Sequence, residues 1–112
     1  MKPRANFWVE VDGEVALSDW RVKLLEAVAE TGSISGAARK LNVPYRLAWA
    51  RLHEMEERLG VRLVETRAGG VGGGGARLTP LAQDYIERWH AFSDDLHTLA
   101  RLRFAEVFGQ SR

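Results

Sequence analysis

Residues 32–60 read GSISGAARKLNVPYRLAWARLHEMEERLG. The first part starts a helix at Ser33 and carries it over 34–41. Gly36, Ala37 and Ala38 keep it slim enough for a neighbouring helix to approach closely. Leu41 closes it and Asn42-Val43 makes the turn. Pro44 suits the first turn of the next helix, where a missing N–H costs nothing. That helix runs to Leu59 and stops at Gly60. At 100° per residue, Ala48, Leu52, Met55 and Leu59 share one face, flanked by Tyr45, Trp49 and Glu56. Arg46, Leu47, Ala50 and His53 lie opposite, with Arg51 at the edge. From Thr31 to His53 there are four basic residues, Arg39, Lys40, Arg46 and Arg51, and no acid. Acids begin at Glu54.

Upstream, Phe7, Val9 and Val11 alternate with Trp8, Glu10 and Asp12. Asp12-Gly13 then supplies the two left-handed positions of a two-residue hairpin turn, and the return strand carries Val15 and Leu17. Ser18 caps a helix over 19–31, with Asp19 near its positive end. Val22, Leu25, Val28 and Ala29 form its apolar stripe, widened by Trp20 and Leu24, and Gly32 ends it. Downstream, Arg62 to Thr66 is a strand. A glycine-rich tract through Gly75 and a short return strand at Arg77-Leu78 follow. Thr79-Pro80 opens a last helix to about Phe108, in which Tyr85, Trp89, Phe92, Leu96 and Leu99 recur at heptad spacing. Such a helix would project beyond a domain this small.

At 112 residues the chain is one domain by length, with room for one core. Net charge is only +1, but it is segregated, with Arg62, Arg67 and Arg77 against Glu65 alone between Val61 and Thr79. A local basic zone suits a polyanion, and it equally suits a solvated helix surface. The absence of cysteine excludes disulfides, thiol catalysis and Cys-ligated metal. No apolar run approaches the roughly 20 residues of a membrane span, and the N-terminus lacks a signal-peptide core, so a cytoplasmic protein without membrane contact is expected. His90 and His97 are too far apart on one helix to share a metal ion. The glycine tract lacks the Gly-Lys-Ser/Thr of a phosphate-binding loop, and no nucleophile–base constellation occurs. No enzyme, cofactor or metal site is expected.

Helix, tight turn, helix and β-ribbon in that order is the plan of a winged helix-turn-helix. The expected fold is therefore mainly α with a small β component, carrying an N-terminal hairpin and a long C-terminal helix. Residues 1–79 form the hairpin and winged unit, and residues 80–112 the helix that pairs two copies. Duplex DNA is the expected partner, read by a homodimer on an inverted repeat. Arg46 and Arg51 suit guanine or phosphate, and Leu47 and Ala50 suit a thymine methyl. The full contact set is Ser33, Ser35, Pro44, Tyr45, Arg46, Leu47, Ala50 and Arg51, with Arg67, Gly72, Gly73, Gly74 and Arg77 on the wing. The expected dimer contact is Phe92, Leu96, Leu99 and Arg103. A winged-helix module that docks a protein partner instead is the alternative. A weaker third reading places a small ligand between Trp49, Tyr85, Trp89 and Phe92, which core packing explains equally well.

The run GSISGAARKLNVPYRLAWARLHEMEERLGVRLVET, with GGVGGGGARLTP after it, resembles the DNA-binding domain of the ModE-type molybdate-responsive regulators. It is more distantly similar to the LysR-type domain. Tyr45-Arg46, Ala48-Trp49 and the glycine wing before Leu78-Thr79 carry the likeness, which covers about residues 19–92. It implies that 33–41 is the first helix of the motif, 44–59 the recognition helix and 62–78 the wing. Pro44 replaces a serine usual in that family. The family's oxyanion-binding domains do not accompany this stretch, so molybdate or another small-molecule effector is not carried over.

Overall fold

A computed structural model of the chain describes residues 1–68 and 74–109. Gly72 and Gly73 of the expected contact set lie outside those residues. The described elements are β1 (Trp8–Val11), β2 (Glu14–Ser18), α1 (Asp19–Thr31), α2 (Ile34–Leu41), α3 (Tyr45–Leu59), β3 (Val64–Thr66), β4 (Ala76–Leu78) and α4 (Pro80–Phe108). This is the expected order. The ribbon strands are shifted slightly, and Pro44 sits just before α3 rather than inside it.

β1 and β2 pair antiparallel through a turn in which Asp12 and Gly13 both have positive φ, 52° and 81°. The register slips between Val9 and Glu10, since Val9 faces Leu17 while Glu10 faces Val15. The extra residue is Ala16, and the bulge puts Ala16 and Leu17, adjacent in sequence, both into the core. Ser18 Oγ accepts from the Arg21 N–H at 3.2 Å and starts α1, and left-handed Gly32 ends it.

α1 is the central element, packed against α2, α3, α4, β2 and β4. Val22, Leu24, Leu25, Ala27 and Val28 are buried on it. Ala29, expected in the stripe, is exposed, and Ala27 takes the inward position. Arg21 is buried too. α2 contributes Ile34, Ala37 and Ala38 to the core, α3 Ala48, Leu52 and Met55, and the ribbon Leu63 and Val64.

α4 has 29 residues, about 43 Å at 1.5 Å per residue. Its buried stripe is Ala82, Ile86, Trp89 and Ser93, rotated from the heptad stripe that the sequence suggests. The two share only Trp89, whose Nε1–H donates to Asp19 Oδ1 at 2.9 Å. Beyond Ser93 the helix runs along the N-terminal segment, with the His97 ring 5.1 Å from Phe7 and Ala100 and Arg101 beside Lys2–Ala5, and the molecule measures 61 × 30 × 22 Å.

Candidate nucleic-acid interface

α2, the turn and α3 are set by local chemistry. Ser33 Oγ accepts from the Gly36 N–H at 2.8 Å. A Cβ on Gly36 would stand 2.7 Å from Thr31 Cβ and 2.9 Å from Ser33 Oγ, so only glycine lets α2 start this close to the end of α1. Asn42, left-handed at φ 58°, ends α2 by donating to the carbonyls of Ala38 and Arg39. The Pro44 carbonyl then accepts from Leu47 and Ala48 N–H at 3.1 and 3.2 Å, which begins α3.

Burying Ala48, Leu52 and Met55 turns Tyr45, Arg46, Trp49 and His53 to solvent as one stripe. Tyr45 and Trp49 are 50% and 45% exposed, whereas Leu47 and Ala50 are half-buried. Trp49 therefore does not share a pocket with Tyr85, Trp89 and Phe92. Those three, with Val9, Leu17 and Arg88, line a separate shallow apolar depression of about 180 Å³. Trp49 instead stacks on His53, ring centroids 3.6 Å apart and planes 23° from parallel.

The arginines divide into free and committed. Arg51 Nη1 lies 2.9 Å from Glu54 Oε2. Glu54 Oε1 also meets Arg21 Nη2 at 3.0 Å and Arg58 Nη1 at 3.5 Å. Burial pushes the Glu54 carboxyl up, but the Arg21 hydrogen bond and the charges of Arg51, Arg21 and Arg58 outweigh it and hold the pKa below the ordinary value. Arg58 also donates to the Val15 carbonyl at 2.7 Å, which ties the end of α3 to the hairpin. Arg39, Arg46, Arg62 and Arg67 form no ion pair among the described residues.

The ribbon is fastened to α3 by a residue that sequence reasoning left as a helix flank. Glu56 Oε2 accepts from the N–H groups of Leu63 and Val64 at 2.8 and 3.1 Å. On the other strand, Ala76 N–H donates to the Gly32 carbonyl at 2.8 Å. Thr79 Oγ1 reaches the Arg62 carbonyl at 2.8 Å while accepting from Ala82 N–H, so one threonine joins the ribbon base to α4. Nothing in the spacing of Glu56 distinguishes it from a solvated glutamate. Its partners are backbone groups seven and eight residues on.

These anchors bring the base of the ribbon over the start of α2. Ser33, Ser35, Tyr45, Thr66, Arg67 and Gly74 line one cleft of about 170 Å³. Five of these belong to the contact set expected from sequence, and Arg46 lies beside Tyr45 on the adjoining helix face. Arg77 does not line this cleft. It faces Glu65 across the ribbon, 3.2 Å away, and lines the adjoining open depression together with Gly32, Glu65, Thr66 and Arg67. On α4, Phe92 meets Phe7 edge-on at 6.5 Å, Leu96 is half-buried, Leu99 is 58% exposed, and Arg103 pairs with Glu106. Leu102, Val107 and Phe108 are exposed as well. No helix among the described residues is long and apolar enough to cross a membrane.

A family model described as bacterial regulatory helix-turn-helix protein, lysR family, matches residues 21–83. The molybdenum transport protein ModE of Herbaspirillum seropedicae is 44% identical over 66 residues, 59% of this chain and 24% of that protein. The DNA-binding transcriptional dual regulator ModE of Escherichia coli K12 is 42% identical over 67 residues, 60% of this chain and 26% of that one. A solved structure of the CbnR DNA-binding domain in complex with DNA superposes with a TM-score of 0.62 at 26% identity, covering 80% of this chain and 99% of that one. The chain spans about a quarter of the length of these curated relatives.

Proposed function

The chain belongs to the lysR family of bacterial regulatory helix-turn-helix proteins, and from that premise we propose that it is a sequence-specific DNA-binding transcriptional regulator. The observation that carries this reading is the convergence of Ser33, Ser35, Tyr45 and Arg67 on one cleft beside Arg46, which is exposed and forms no ion pair among the described residues. Arg46 projects from the first turn of α3, where a recognition helix presents side chains to base edges. Arg67 and the first turn of α2 face phosphate, since free backbone N–H groups at a helix start favour an anion. Arg51 contributes charge from within its ion pair with Glu54, and Leu47 and Ala50 lie along the groove wall.

Two copies act together. Residues 1–79 read one half-site and residues 80–112 pair the copies through Phe92, Leu96, Leu99 and Arg103. The exposed apolar end of α4 supports this, because a stripe of that length is not expected on a monomer. An inverted repeat with half-sites about 34–36 Å apart, or a multiple, follows. Such a regulator works in the cytoplasm and catalyses no reaction. The molybdenum in the name of the Herbaspirillum seropedicae relative is said of that protein and is not carried over to this chain.

The test is selection of binding sites from a random duplex pool, followed by a salt series. A DNA reader enriches one motif and loses affinity steeply with salt. No enrichment and a flat salt response would point to a protein-docking module instead.

A further inference from the structure

The exposed large hydrophobic side chains of α3 are Tyr45 and Trp49. The indole of Trp49 is exposed and stacked on a neighbouring ring. It stands on the same stripe as Arg46 and His53, three residues after one and four before the other, within the acid-free stretch 31–53. Its orientation is held from its own helix. The His53 ring lies against it at 3.6 Å, and His53 Nδ1 is 2.9 Å from the Trp49 carbonyl. A carbonyl only accepts, so Nδ1 carries the proton and the imidazole is pinned parallel to the indole. Of the other three indole N–H groups, Trp8 donates to Glu10 and Trp89 to Asp19, while Trp20, without a hydrogen-bond partner among the described residues, is half-buried against the core. Trp49 Nε1 has no such partner among the described residues. An indole left in water on a 15-residue helix, while smaller Leu47 and Ala50 are half-covered, is a surface built for contact.

We propose that Trp49, held flat by His53, is a specificity-determining residue that packs on the C5-methyl of one thymine in the major groove. This inference rests on the DNA-reading function above. In an intact duplex the faces of the bases are stacked away, and only their edges are available. The thymine methyl is the one apolar group on those edges, so a rigid apolar plate in the groove finds favourable contact there and nowhere else. Arg46, one turn earlier on the stripe, supplies the polar reading of a neighbouring pair. His53 is a positioning residue, acting through the indole.

The experiment uses the whole chain and its selected operator. Each thymine is replaced in turn by deoxyuridine, which removes the methyl and nothing else. At one position uracil lowers wild-type affinity about threefold to fivefold. The same replacement leaves Trp49→Ala unaffected, and Trp49→Phe keeps part of the penalty. His53→Ala shrinks the uracil penalty and His53→Phe restores it. An unchanged Tm for each variant shows that folding is intact. A wild-type chain indifferent to uracil everywhere, or a penalty that survives in Trp49→Ala, overturns the assignment while a selected motif still upholds DNA reading. Failure to select any motif removes both.

Discussion

α3 and α4 each carry a tryptophan at helical spacing with other apolar residues, and they use it in opposite ways. Trp89 of α4 is 3% exposed and donates to Asp19. Trp49 of α3 faces solvent against its own helix's histidine. The difference comes from small residues beside them. α4 lays Ala82 and Ser93 on the head, and this close approach carries Trp89 in with them. α3 lays Ala48 on the head, with Leu52 and Met55 following it, and that rotation leaves Trp49 outside. The apolar surface α3 exposes is short and bordered by Arg46. The surface α4 exposes runs from Phe92 to Phe108 past the end of the head. Under the proposed function, α3 is the surface that reads and α4 the surface that pairs.

The contrast is most easily broken at the two tryptophans. Trp89→Ala should cost about 3–5 kcal/mol in denaturant unfolding, as large-to-small changes in cores do. Trp49→Ala should stay within about 0.5 kcal/mol, as surface changes do. Equal losses would mean that both rings are core. Next in size is Leu99→Asp with Leu102→Asp, both on exposed positions of α4. Light scattering should report a monomer, and affinity for the inverted repeat should fall by about a hundredfold or more through loss of bivalency. A double variant that stays dimeric would remove α4 as the pairing surface.

Arg46→Ala sharpens the α3 side. It should cost about 1–3 kcal/mol of operator binding and relax preference at one base pair. A loss spread evenly over all sequences would demote Arg46 to a phosphate contact. Glu54→Gln tests how α3 is held. The native carboxyl titrates below its unfolded value, so its stabilisation is present above that value and is lost as pH falls through the lowered one. The variant should have a lower Tm at neutral pH, and the gap to wild type should close in the acid range. A gap independent of pH would show that the arginine cluster does not depend on the charge. The smallest effect is expected from Arg67→Ala. It should leave Tm unchanged, weaken binding to all duplexes slightly, and reduce the salt slope by about one.

Much of the fold was legible because its signals are local. Ser18, Ser33 and Thr79 each cap the helix they precede, and Asp12-Gly13, Gly32, Asn42 and Gly60 each take the left-handed backbone expected of a turn or helix end. The geometry of the candidate site was legible in part. Ser33, Ser35, Tyr45, Arg67 and Gly74 do meet in one cleft. Arg77 instead faces Glu65, and Trp49 left the company of the α4 aromatics. Arg21 and Glu56 were missed, because each is defined by a partner that no spacing rule connects to it.

The sequence by itself determined the order of elements, their ends, and the acid-free stretch from Thr31 to His53 that spans α2 and most of α3. Caps, turn residues and periodicity act over a few positions, so they survive without knowledge of the rest of the chain. Only the tertiary structure decided the rotation of α3 and α4 about their axes, the commitment of Arg51 to Glu54, and the seating of the ribbon by Glu56 and Gly32. Those depend on which small side chains allow two backbones to approach and on which half-buried carboxylate finds its donors. Periodicity narrows a helix to a few candidate faces, and close packing against a neighbour selects among them.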